Sequence, residues 1–211
     1  MKQINKGKEP ESLTTHRQQE HADYNNYQEK DDLREALCIE QRGICCYCMG
    51  AIKPDSVSMK IEHWQCQENF PGMQLIFANL LGACKGNEGE KKDNTHCDTF
   101  KGNKDFSRYP PSQVYRIEDL IVYSNDGTIK SNNQQLDREL NEVLNLNVQR
   151  LKNNRKAALD GFKDGLTLQG KLSRPLIQRW LNDWKGLNHN DNLKPYCMVV
   201  IYWLQKRLNR A

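Results

Sequence analysis

Between Cys45 and Lys101 the chain concentrates side chains that ligate metals or move protons. Cys45 and Cys48 form a Cys-x-x-Cys pair inside Gly43-Ile44-Cys45-Cys46-Tyr47-Cys48-Met49-Gly50, which reads as a tight knuckle. Cys84 and Cys97 supply a second pair, and the charged, glycine-containing stretch 85–95 between them reads as a surface loop that can stand clear of a metal. A structural zinc takes four sulfur or nitrogen ligands in a tetrahedron, commonly as two pairs from separate segments. The four thiols therefore make a candidate zinc site. His96 is the alternative to Cys97, and Cys66 is a weaker candidate. Cys46 and Cys197 are read as non-ligands and Cys38 as a small core residue. A thiol-redox pair is disfavoured, because Cys45 follows a helix end rather than opening a helix and nothing in the sequence lowers its pKa.

Glu62-His63 lies between the two thiol pairs. A carboxylate can hold a hard divalent cation, and a neutral imidazole beside it can take a proton from water. Zinc at both ends of this stretch would hold the pair rigidly. Neighbours on a regular strand face opposite ways, so for both to serve one site the strand must bulge or end there.

Cys45-x-x-Cys48, Glu62-His63, Asn79-Leu80-Leu81, Cys84 and Cys97-Asp98-x-x-Lys101 together resemble the zinc-containing HNH endonucleases. The resemblance implies an α+β fold: a zinc-stapled ββα-metal core embedded in a mainly helical chain. It implies that Glu62 binds the catalytic metal, that His63 is the general base, and that Asn79 keeps the hairpin and the histidine in place. Asp98 falls where the family usually has a final His or Asn ligand, with His96 as the other candidate for that position. Two carboxylates favour Mg²⁺ or Mn²⁺ beside the structural Zn²⁺. Lys101 matches a basic residue of the motif that could meet a phosphate, and Lys85 is the second candidate for that contact.

Lys8-Glu9-Pro10, Leu33-Arg34-Glu35-Ala36-Leu37 and Leu144-Asn145-Leu146-Asn147 extend the match. With them the chain resembles the HNH subunit of Septu-type antiphage systems, which also accompanies some retrons. The implied activity is metal-dependent hydrolysis of nucleic-acid phosphodiesters by the effector of a defence complex. The implied partners are an ABC-type ATPase subunit and nucleic acid, DNA ahead of RNA or tRNA. In a retron setting a reverse transcriptase and its non-coding RNA/DNA join them. Two other functions stay open: an RNA- or tRNA-cutting toxin of the same architecture, and a non-catalytic zinc module that binds nucleic acid or a partner protein.

The elements that must position these residues divide the chain into an N-terminal arm and helices (1–44), the zinc-containing core (45–106) and a hairpin plus helical region (107–211). Expected are a helix over 13–24 capped by Ser12, with His16 and His21 on its solvated surface, and a second helix from 31 that Gly43 ends. A strand over 60–65 and a short helix over 97–103 follow. Beyond them come a hairpin of 120–123 with 128–130 around Asn125-Asp126-Gly127, and helices over 134–143, 148–163, 174–185 and 195–210. Asn147 and Ser173 are expected to cap the second and third of these. Trp180, Trp184, Tyr202 and Trp203 fit either a docking face or a helical core.

In bulk the 211 residues hold 31 Lys and Arg against 27 Asp and Glu, a formal charge of +4. That is mildly basic and too weak to require a nucleic-acid partner. The most basic part carries Arg150, Lys152, Arg155, Lys156, Lys163, Lys171, Arg174, Arg179 and Lys185, a stretch that could touch phosphates or simply be solvated. The eight cysteines stand in a chain whose start has no apolar signal region, and the longest apolar run, 196–204, is too short to cross a bilayer. No membrane partner and a cytoplasmic setting with reduced thiols are expected.

Overall fold

The stretch that carries the cysteines folds as a β-hairpin followed by a short helix in a computed structural model that describes residues 1–167 and 173–209. Strands β1 (Met59–His63) and β2 (Leu80–Cys84) pair antiparallel, with Met59 opposite Cys84 and His63 opposite Leu80. Helix α1 (Glu11–Arg17) and helix α2 (Lys30–Glu40) precede them, and α3 (Cys97–Lys101) follows. Leu80 to Ala83 of β2 are all buried, because α2 and α3 both pack against that strand.

One side chain ties α2 to the hairpin. The buried amide of Gln41 accepts from the Gly82 N–H at 2.6 Å and donates to the Gly82 carbonyl at 2.7 Å and the Ile44 carbonyl at 2.9 Å. Gly82 admits this approach only because it lacks a side chain: a Cβ there would stand 2.9 Å from the Met59 methyl and 3.2 Å from the Gln41 amide nitrogen. The acids Asp31 and Asp32 open α2, and Gly43 turns the chain beyond its end at φ +71°. Leu33, Leu37, Cys38 and Ile44 are buried, with the Cys38 thiol toward the Ile52 carbonyl.

The N-terminal helix is shorter than expected. It ends at Arg17, the N-cap position belongs to Pro10, and the Ser12 hydroxyl bonds the Tyr27 hydroxyl at 2.9 Å instead of capping. The chain turns back near His21, which takes φ 63° and is exposed. His16 is not on a solvated face: it is buried, with Nε2 3.0 Å from the Asp23 carbonyl and its ring against Tyr27.

Beyond the core, β3 (Val122–Tyr123) and β4 (Ile129–Lys130) form the second hairpin. Four helices follow: α4 (Gln134–Glu142), α5 (Gln149–Thr167), α6 (Arg174–Lys185) and α7 (Cys197–Leu208). Asn133 caps α4 by accepting from Leu136 N–H. Asn147 does not cap α5; its amide spans both the N–H and the carbonyl of Ile129 at 2.9 Å each, holding β4 to the helix start. Ser173 stands at the N-cap of α6 without a side-chain bond. Lys171 and Arg210 lie outside the described residues.

Helix α7 is the centre of this half, packed on α5, α6 and β3 with Cys197 to Ile201 buried in succession. Phe162 meets Trp180, Trp184 and Trp203 edge-on at 5.6–5.9 Å, so these tryptophans build a helical core. Arg155, counted among the basic residues that could reach phosphates, is buried instead. It donates to the carbonyls of Gly127 and Leu146, the latter at 2.6 Å. One cluster of buried residues runs from Met1 to Leu204 through all three segments. Among the described residues no helix is long and apolar enough to cross a membrane.

Candidate metal centre and hydrolytic site

The four expected thiols meet. The sulfurs of Cys45 and Cys97 are 3.9 Å apart, those of Cys48 and Cys84 are 3.7 Å apart, and all four lie within 4.8 Å of one another. Zinc held at about 2.3 Å by four sulfurs in a tetrahedron separates them by about 3.8 Å, so this cluster can hold a structural metal such as zinc. The knuckle is shaped by backbone bonds. Cys45 N–H donates to the Gly50 carbonyl at 2.8 Å, Met49 turns at φ 65°, and Gly50 N–H points at the Cys48 sulfur at 3.3 Å. Cys84 ends β2 and Cys97 opens α3 at φ 55°.

His96 stands beside the cluster rather than in it, with Nδ1 3.2 Å from the Cys97 sulfur. Cys66 is elsewhere, its thiol toward the Asn103 carbonyl. Burial opposes ionisation of the Cys45 thiol, yet hydrogen bonds from Cys46, Cys48, Cys84 and Cys97 draw it well below the ordinary thiol range. The sequence holds no sign of this, since the donors arrive only on folding. Cys84 and Cys97 are pushed well above that range, Cys84 chiefly by its bonds to Cys45 and Cys48 and Cys97 chiefly by burial. Such crowding favours the Cys45 thiolate and opposes those of Cys84 and Cys97, a conflict that a dication bound among them would remove.

The loop 85–95 closes so that Cys84 and Cys97 face each other. Gly86 takes φ +56°, where a Cβ would come within 2.0 Å of the His96 carbonyl oxygen, and its own carbonyl accepts from His96 N–H at 3.0 Å. The Leu144-Asn145-Leu146-Asn147 stretch holds this closure from outside. Asn145 donates to the carbonyls of Asp93 and Thr95, and the Leu144 carbonyl accepts from Cys97 N–H at 2.9 Å.

On the other side of the hairpin, Glu62, His63 and Asp98 line one cavity of about 250 Å³, with Tyr24 and Gln67 at its rim. Strand β1 ends at His63, which meets the condition that adjacent residues turn to a common site. Asn79 makes that end. Its backbone carbonyl accepts from Trp64 N–H, its side-chain oxygen accepts from Gln65 N–H at 2.8 Å, and its amide donates to the carbonyls of Gln65 and Met73.

The His63 ring is set by contacts that sequence reasoning did not find. Nε2 lies 3.0 Å from the Gln74 carbonyl and 3.0 Å from the Gln67 amide nitrogen, and Tyr24 packs edge-on at 4.5 Å. With Nε2 donating to the carbonyl, Nδ1, which lies 3.4 Å from the Gln67 amide nitrogen, is the basic nitrogen. Burial pushes the His63 pKa down to about 4, so the ring is neutral at physiological pH.

Glu62 is sealed from solvent. The Tyr47 hydroxyl donates to its Oε1 at 2.6 Å, and Lys101 Nζ lies 2.9 Å from the same oxygen and 3.1 Å from the His63 carbonyl. Burial, with the Asp98 carboxyl beside it, raises the Glu62 pKa well above the usual carboxylate range. Lys101 is thus not a phosphate contact: its ammonium is buried inside the protein and spent on Glu62. Asp98 is half-buried with Lys60 Nζ at 3.5 Å, and Lys60 also pairs with Glu88 at 2.7 Å. Lys85 is partly exposed, near Glu88, in a cleft of about 230 Å³ that includes Cys84, His96 and Arg150.

No protein-family model matches the chain, and no curated protein matches it. Tyr47 was the residue hardest to foresee, and Lys101, expected at a phosphate, was foreseen in another role. The signals for the Glu62 contacts were the position of Tyr47 inside the Cys-x-x-Cys and the placing of Lys101 one helical turn beyond Cys97 and Asp98.

Proposed function

We propose that this chain is a metal-dependent endonuclease with a zinc-stapled HNH-type ββα-metal core, the effector of an antiphage complex with an ABC-type ATPase. The observation that supports the reading is the convergence of His63, Glu62 and Asp98 on one cavity at the end of a strand that Asn79 holds in shape. The acids are the right donor set for a hard divalent cation, and the cavity between them and the imidazole gives it a place. Bound there, Mg²⁺ or Mn²⁺ would neutralise charge on the scissile phosphate and on the leaving oxygen.

The protein's own part is to place and move a proton. His63, neutral and fixed through Nε2, receives a proton from an attacking water at Nδ1. Asn79 keeps the strand end from fraying, so the ring holds its aim while the phosphate is attacked. Glu62 and Asp98 orient the cation side of the site. With the +4 charge of the whole chain and Lys101 withdrawn into the core, the chain alone holds nucleic acid weakly. A substrate delivered by a partner in the cytoplasm suits this balance.

The test is cleavage of plasmid, single-stranded DNA and tRNA in Mg²⁺ or Mn²⁺ by the zinc-loaded chain, alone and with its partner. His63→Ala is expected to abolish cutting while zinc content and melting temperature stay at parental values. A His63→Ala chain that cuts at the parental rate would overturn the assignment, and a preference for tRNA would mark the chain as an RNA-cutting enzyme.

A further inference from the structure

We infer that Tyr47 is a positioning residue that couples the four-cysteine centre to the divalent-cation site, an inference that rests on the nuclease reading above. Tyr47 lies between the two knuckle cysteines, Cys45 and Cys48, so its backbone is set by whatever the sulfurs hold. Its ring is wholly buried, edge-on to Phe106 at 5.8 Å. Its hydroxyl crosses to β1 and donates to Glu62 Oε1 at 2.6 Å.

The second grip on Glu62 has the same origin. Lys101 reaches the same oxygen from α3, the helix whose first residue is Cys97. Glu62 is therefore held by two side chains, one rooted beside Cys48 and the other one helical turn beyond Cys97. Both bonds fall on Oε1, so together they fix where that oxygen sits. A hydrogen bond to a ligating carboxylate sets ligand orientation and hence metal affinity. Remove the Tyr47 hydroxyl and Lys101 alone holds Oε1, free to turn the carboxylate with it. Zinc then does more than fold the hairpin: through Tyr47 it sets the angle at which the acid meets the cation.

The decisive experiment is a Mn²⁺ titration of the zinc-loaded full chain followed by electron paramagnetic resonance, paired with cleavage kinetics, for the parent and Tyr47→Phe. Phenylalanine keeps the ring that packs on Phe106. The expected result is Mn²⁺ binding weakened about 10- to 100-fold, with kcat lowered more than KM for nucleic acid, and zinc content and melting temperature unchanged. In a Glu62→Ala background, Tyr47→Phe should cost nothing further, since its only route to the cation is through that acid. Equal Mn²⁺ affinity in parent and Tyr47→Phe, or an additive loss on Glu62→Ala, would overturn the coupling. So would loss of zinc from Tyr47→Phe, which would make Tyr47 a support of the cysteine cluster alone. A parent that neither binds Mn²⁺ nor cuts any substrate overturns the nuclease reading itself, and is distinct from a parent that does both while Tyr47→Phe equals it.

Discussion

The ammonium of Lys101 and the carboxylate of Glu62 meet at 2.9 Å with both side chains sealed from water. A pair so placed is expensive to break from one side, because the acid left behind is buried, already reluctant to ionise, and stripped of the cation that favours its charge. Lys101→Met is expected to destabilise the fold by roughly 3–5 kcal/mol in urea unfolding. Adding Glu62→Gln should recover most of that loss. If the double variant is as unstable as Lys101→Met alone, the charge on Glu62 is not what the lysine answers.

The cysteine cluster makes a second expectation. Cys48→Ser removes one sulfur of four and leaves the knuckle and β2 without their shared anchor. Metal release by the variant, read with a colorimetric chelator, should accompany loss of the hairpin signal in circular dichroism. A strong chelator added to the parent should do the same, because binding energy at such a site is folding energy. A chain that keeps its melting temperature after full zinc removal would show that the apolar core suffices.

The pH dependence follows from His63. Its folded pKa, about 4, lies below the ordinary 6.5 because burial disfavours the charged ring. A group depressed in this way stabilises the fold fully above about pH 6.5, and that contribution is lost as the pH falls toward 4. The magnitude is roughly 3 kcal/mol. Unfolding of the zinc-loaded chain between pH 7 and 4 should therefore steepen relative to His63→Gln, and kcat/KM should show no inflection near 6.5. An activity limb centred at 6.5 would mean that the ring titrates as if exposed.

Arg155 gives a prediction far from the cavity. Its guanidinium satisfies the carbonyls of Gly127 and Leu146 in the core, joining the β3–β4 turn to the start of α5. Arg155→Met keeps much of the volume and strands both acceptors. The expected cost is about 2–4 kcal/mol, measured by thermal and denaturant unfolding, with nucleic-acid affinity unaffected. A selective loss of nucleic-acid binding at unchanged stability would return Arg155 to the surface role its sequence context suggests.

The four-thiol cluster was legible before folding because its chemistry is carried by residue type and spacing. Four thiols in two segments leave few alternatives, and the stretch between Cys84 and Cys97 is polar enough to be a loop. The hairpin was half legible: β1 was expected within a residue or two, whereas Leu80–Cys84 emerged as a strand only because α2 and α3 cover it on both sides. His16, Lys101, Arg155 and Asn147 were misread for one shared reason. A polar side chain on a helix or loop looks solvated until a carbonyl or carboxylate outside its own element arrives to meet it, and those partners lie 7 to 38 positions away in the chain. Glu62 and His63 sat between these cases. Their identities suggested chemistry, but only the strand end at Asn79 turned both toward one cavity.

Cys97 joins a cluster that Cys45 opens 52 positions earlier, and Asp98 comes one residue later still. A ribosome that has released fewer than 97 residues has therefore made His63 and three of the four thiols without the closing thiol or Asp98. Products cut short before Cys97 can complete neither the sulfur cluster nor the cavity that Glu62, His63 and Asp98 line. Assembly of both waits for the closing thiol to emerge.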